Sequence, residues 1–137
     1  MIDQTTVSKL SEYGSENGSA TEFDVEKIPG EIPTFSVAVD GREELPIYVS
    51  ATEEEVLCIC HLFGINEVKP ETESEMNKVM LGMNIPMPLS SFGVNGDHYV
   101  VFGSLSAKSD IDELAHELVT LSNNSLDAIE ALSEYLK

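Results

Sequence analysis

The stretch 87-MPLSSFGVNGDHYVVFGSLSA-107 sets Asn95-Gly96 between two apolar runs. Such a pair is the strongest short-range hairpin signal, because a two-residue type I′ turn needs positive φ at both central positions and Asn and Gly tolerate it. The turn predicts a register in which Val94 faces Asp97, Phe92 faces Tyr99, Ser90 faces Val101 and Leu89 faces Phe102. Beyond it, Ser109 or Asp110 can cap a helix. Its apolar positions Ile111, Leu114, Ala115, Leu118, Leu121, Leu126, Ile129, Leu132 and Leu136 keep helical spacing nearly to the end. Asn123-Asn124-Ser125 places poor helix formers in its middle, which leaves a kink or two shorter helices open. The hairpin and the helix predict one shared core.

Upstream, Phe35, Val37 and Val39 alternate with small or polar residues. After Asp40-Gly41, Leu45, Ile47, Val49 and Ala51 resume the alternation, which predicts a second hairpin. Phe23 and Val25, followed by Pro29-Gly30, suggest a brief first strand. Glu53–Phe63, EEEVLCICHLF, reads two ways: Thr52 and Glu55 could open a helix as a capping box, while the short run of Val, Ile, Cys and Phe suits a buried strand and favours that reading. As a strand it turns Val56, Cys58, Cys60 and Leu62 to one face and Leu57, Ile59, His61 and Phe63 to the other, so both faces need cover. Thr72 and Glu75 form a second capping-box pattern ahead of Met76, Val79, Met80 and Met83 at helical spacing. Residues 1–22 read as a short helix, with Val7, Leu10 and Tyr13 on one side, and a mobile Gly/Ser-rich loop. Residues 23–137 read as a single α+β domain.

With 25 acidic and 7 basic residues the chain carries a net charge of −18 and a pI near 4.2. That charge repels polyphosphate backbones and anionic lipid surfaces, so nucleic acid is not an expected partner. No run is long and apolar enough for a membrane span, and the N-terminus lacks a signal-peptide pattern; the expectation is a cytoplasmic protein without direct membrane insertion.

Cys58-x-Cys60-His61 is the one segment with metal-ligand residue types. A structural zinc site wants four converging ligands, His98 and His116 have no ligand spacing to one another, and strand alternation turns His61 away from both thiols. Buried apolar cysteines are the reading that alternation favours, and neither cofactor nor metal is expected. No catalytic residues are assigned and the chain is not expected to be an enzyme. Gly93-Val94-Asn95-Gly96 lacks the lysine and the following helix of a phosphate loop.

Leu45-Pro46-Ile47, taken with LSSFGVNGDHYVVFGSLSAKSDIDELAHELVTLSNNSLDAIEAL from Leu89 to Leu132, resembles the bacterial YjfI family. Its members carry an L-S-x-F-G strand, a Y-x-x-F-G-x-L-S strand and a long acidic C-terminal helix; the likeness spans roughly Phe35 to Leu136. The resemblance implies a gene neighbourhood with a phage-shock-protein-A-like membrane-stress protein and brings no catalytic residues. The order of elements also resembles type III secretion chaperones, small acidic α+β proteins, usually dimeric, that hold extended client segments. That likeness implies an antiparallel sheet of about five strands packed against a long C-terminal helix and a short Met-rich helix.

The expected function is therefore a non-enzymatic protein-binding module, an accessory to a membrane-stress system or a secretion-type chaperone. A small metal-binding protein using the Cys-x-Cys-His segment is the less favoured alternative. The expected interaction surface comprises Leu57, Ile59, Phe63, Met76, Met80 and Met83, shared between a homodimer and a protein partner. In this reading the long helix covers one face of the sheet and the short helix part of the other.

Overall fold

In a computed structural model describing residues 1–14 and 21–137, one antiparallel sheet of six strands organises the chain. The loop expected to be mobile falls largely on residues outside the described ones. After α1 (Gln4–Ser8) come β1 (Phe23–Ile28), β2 (Thr34–Val39), β3 (Ile47–Ala51) and β4 (Glu55–Gly64). Then come α2 (Glu73–Met83), β5 (Ser91–Asn95), β6 (His98–Ser106) and α3 (Ile111–Ala131). The strand order β1-β2-β3-β4-β6-β5 leaves β1 and β5 as the edges. The count is six strands instead of about five.

The expected hairpin forms, with a different turn. Asn95 pairs with His98, Val94 with Tyr99 and Phe92 with Val101, so the loop is Gly96-Asp97. Among these residues only Gly96 has positive φ, 63°, the place glycine takes at the first central position of a type II′ turn. The register therefore differs from the predicted one by two residues. A slip of one would have exchanged the faces; a slip of two leaves each side chain on the face alternation assigned it.

Residues 55–64 form a strand, as β composition favours, lying between β3 and β6. Thr52 does bond to Glu55, but its hydroxyl caps a turn before the strand instead of opening a helix. The alternation breaks between His61 and Phe63, where the pairing to β6 shifts and Leu62 is the extra residue. A β-bulge places two successive residues against one and re-aims the side chains beyond it. Phe63 is thereby turned to the same side as Cys60, where it joins a second core cluster with Val68, Met76, Met80, Tyr99 and Leu132.

Both α2 and α3 consequently cover the same face. The main cluster joins Val37, Ile47, Val49, Val56, Cys58 and Cys60 to Leu114, Leu118 and Leu121 of α3, and Ile2, Val7 and Leu10 complete it from the N-terminal segment. The expectation that α2 shields the opposite face is overturned by the bulge: Phe63, which was to face away from α3, supplies the contact on which α2 sits.

Asp110 caps α3, accepting from the Glu113 N–H at 2.9 Å while the Asp110 N–H reaches Glu113 Oε1 at 3.4 Å. The helix runs unbroken through Asn123-Asn124. Low helix propensity there is offset by tertiary bonding, since Asn124 Nδ2 donates to the Pro88 carbonyl at 2.9 Å and the Ser90 hydroxyl at 3.1 Å. The capping box expected at Thr72 does not form; its hydroxyl donates to the Lys69 carbonyl at 2.9 Å instead.

Candidate protein-binding surface

With the described helices on one face, the other carries no packed element of its own. Pairing of Tyr48 with Ile59, Ile59 with Phe102, and His61 with Val100 sets these side chains on that open face. Leu57, Ile59 and Phe102 are half-buried, and Ser36, Ser50 and Ser104 flank them. Gly93 lets the Phe102 ring lie across β5, because a Cβ there would come within 2.9 Å of the ring. At one end three rings stand edge to face: Tyr48 to His61 at 5.4 Å and His61 to His98 at 5.1 Å between centroids. The Asp97 carboxylate lies 2.8 Å from Nδ1 of His98. A shallow cavity of about 340 Å³ opens beside them, lined also by Glu44 and Pro46. Burial, and then the neighbouring His98, hold His61 below its ordinary pKa, with Asp97 opposing.

The six residues expected to share one interaction surface separate into two sets. Leu57 and Ile59 lie on the open face. Phe63, Met76 and Met80 are buried on the helix side, while Met83 is half-buried beside a cavity of about 280 Å³ between α3 and the 86–88 connector. Cys58 and Cys60 are buried in the main core and His61 points the other way, so the three do not converge on an ion. Burial pushes the Cys58 thiol up to about 12 and raises that of Cys60, the opposite of what a reactive thiolate needs. Among the described residues no cluster of three or more His, Cys, Asp or Glu could hold a metal.

One buried group escaped the reading of the sequence. Glu117 lies in the middle of α3 among apolar positions, and its Oε1 makes no hydrogen bond to the described residues. A Cβ at Gly103 would overlap that oxygen, so the missing side chain makes room for it. Burial raises the carboxyl above its ordinary value, opposed by the charge of His116. Its signal was a carboxylate one residue before Leu118, inside the apolar stripe.

The antiparallel sheet with its described helices on one face is a fold shared with chains of solved chaperone–effector and type III secretion complexes. A chain of the HopA1–SchA chaperone–effector complex matches over 95% of this chain and 99% of its own, with a TM-score of 0.60 at 13% identity. A chain of the heterodimeric ExoU–SpcU complex from the type III secretion system of Pseudomonas aeruginosa matches over 90% and 94%, with a TM-score of 0.56 at 14% identity. An uncharacterized protein from Methanothermobacter thermautotrophicus shares the fold over 96% and 99%, with a TM-score of 0.66 at 13% identity. At such identities the likeness is one of fold. Residues 4–136 match DUF2170, described as uncharacterized protein conserved in bacteria, and the chain belongs to that family. It is 29% identical over 103 residues to the uncharacterized protein YjfI of Escherichia coli (strain K12), 72% of this chain and 76% of that one. No helix among the described residues is long and apolar enough to cross a membrane.

Proposed function

We propose that the protein is a non-enzymatic, homodimeric binding module of the cytoplasm that holds a segment of a partner chain against the open face of its sheet. The observation that carries this reading is that Leu57, Ile59 and Phe102 stand together, only partly buried, on a face no described helix covers. A row of apolar side chains flanked by serine hydroxyls suits an extended segment, which sets alternate side chains against the face it lies on. That chains of chaperone–effector and secretion-system complexes share the fold supports a holding role over a catalytic one. The same mode would serve an accessory to a phage-shock-protein-A-like membrane-stress system, the gene neighbourhood that the family resemblance implies without naming the partner.

Capture from the native cell tests this. Wild type should retain a stoichiometric protein partner, and Leu57→Asp with Ile59→Asp should lose it while the dimer and the circular dichroism spectrum persist. Equal capture by wild type and variant, or none by wild type, contradicts the reading.

A further inference from the structure

The corner of the open face where Tyr48, His61 and His98 meet has a chemistry that the apolar row beside it lacks. Its rings stand edge to face, with centroids 5.4 and 5.1 Å apart, beside a cavity of about 340 Å³ that Glu44 and Pro46 complete. No lysine or arginine lines that cavity, and among the described residues none forms an ion pair with Glu44 or Asp97. His61 is held below its ordinary pKa by burial and by His98, so at neutral pH its ring brings no positive charge to the corner. The Asp97 carboxylate, 2.8 Å from Nδ1 of His98, offsets the charge that ring takes on protonation. An anion placed here would meet carboxylates. A metal ion would need converging donors, and among the described residues no group of three or more His, Cys, Asp or Glu supplies them. The chemistry that fits is an organic cation, which takes ring faces and carboxylate oxygens in place of coordination bonds.

We propose that this corner is a cradle for an arginine or lysine side chain of the segment held on the open face, an assignment that rests on that reading of the face. The register says where in the segment the basic residue stands. On β4, His61 follows Ile59 by two positions and lies on the same face, so a strand-like segment that sets an apolar side chain against Ile59 brings its next same-side residue to the cradle. Apolar contacts alone let a segment slip along the row by two residues without changing faces, and a cation seated at one end removes that freedom. The net charge of −18 favours the same class of segment, since it draws a basic chain in and repels an acidic one. Glu55, paired with Ser106 at the far end of the row, shares that general attraction and serves as the control for it.

Selection from a displayed library of random short peptides tests the assignment. The baits are wild type, Glu44→Gln alone and with Asp97→Asn, Glu55→Gln, and Leu57→Asp with Ile59→Asp, with circular dichroism to check folding. Glu44, Asp97 and Glu55 are exposed, so their variants should fold. Wild type and Glu55→Gln should enrich peptides in which apolar residues alternate and an arginine or lysine takes the next same-side position. The cradle variants should enrich the same alternation without the basic residue. In a selected peptide, norleucine in place of the basic residue should weaken binding to wild type by about fivefold or more and leave binding to the doubly substituted cradle variant unchanged. Alternating peptides with no basic preference on wild type overturn the cradle and leave the open face standing. A basic preference kept by the cradle variants, or lost as fully in Glu55→Gln, also overturns it, because the charge of the whole molecule then accounts for the preference. Enrichment by wild type no greater than by the Leu57, Ile59 variant overturns the cradle and the open-face reading together.

Discussion

The two edges of the sheet are made differently. β1 exposes Asp24, Glu26 and Lys27, while β5 has no charge within it and sits beside exposed Leu81; prolines stand outside both strands, Pro29 after β1 and Pro88 before β5. Charge is an ordinary means of keeping an edge strand from pairing with another chain. One edge has it; the other has only the Asn84 cap on a single N–H. The difference teaches that in so acidic a chain the placement of charge, more than apolar content, separates an edge meant for water from one meant for contact.

The comparison can be broken most severely through α2, which stands beside β5. Its inward Met76 is fully buried in the second cluster and its outward Leu81 is exposed. Met76→Ala should cost about 2–5 kcal/mol by opening a cavity. Leu81→Ala should shift stability by no more than about 0.5 kcal/mol, as expected of an exposed position. Denaturant unfolding of dilute monomer compares them, and equal losses would mean that Leu81 is part of the core and not of a contact surface.

A smaller effect tests the turn that ends β5. Gly96→Val should cost on the order of 1–2 kcal/mol because valine at positive φ is strained, whereas Asn95→Val, at a residue without positive φ, should cost about 0.5 kcal/mol or less. Losses at Asn95 matching those at Gly96 would restore the type I′ turn.

The smallest effect concerns Glu117, which shares with the Leu89 carbonyl the space left open at Gly103, at the approach to β5. Its folded pKa lies above the ordinary 4.5, so between the two values the folded state holds a proton the unfolded state has released. Stability from this group is present below 4.5 and lost as pH rises through the folded value. Glu117→Gln should therefore flatten the decline in thermal midpoint over that interval, and a wild type whose midpoint shows no such decline would mean that the carboxyl is not held protonated.

Much of the fold was legible because alternation and helical spacing are local properties. The two hairpins, the strand Glu55–Gly64, the capped helix from Ile111 and the open face with Leu57 and Ile59 arise from side-chain periodicity. The bulge at Leu62 was not legible, since it depends on how β4 meets β6 near the turn, where the Ile65 N–H bonds to the Asp97 carbonyl at 2.8 Å. Missing it misplaced Phe63 and with it α2. Asn-Gly misled for the opposite reason: its local preference gave way to a pairing that sets Val101 against both Phe92 and Cys60. Asn123-Asn124 marks a tertiary hydrogen bond to a connector more than 30 residues away, which no local pattern encodes. The absence of charge between Lys78 and Asp97 needed no structure to be seen, but it acquires meaning only once β5 is known to be an edge.

Amide hydrogen exchange of the wild type at low and high protein concentration measures the contrast between the edges directly. The amides of β5, Val94 above all, should exchange more slowly at high concentration, while those of β1 should exchange at the same rate at both. Slowing at β1, or no slowing at β5, would contradict the claim that one edge is guarded and the other is built for contact.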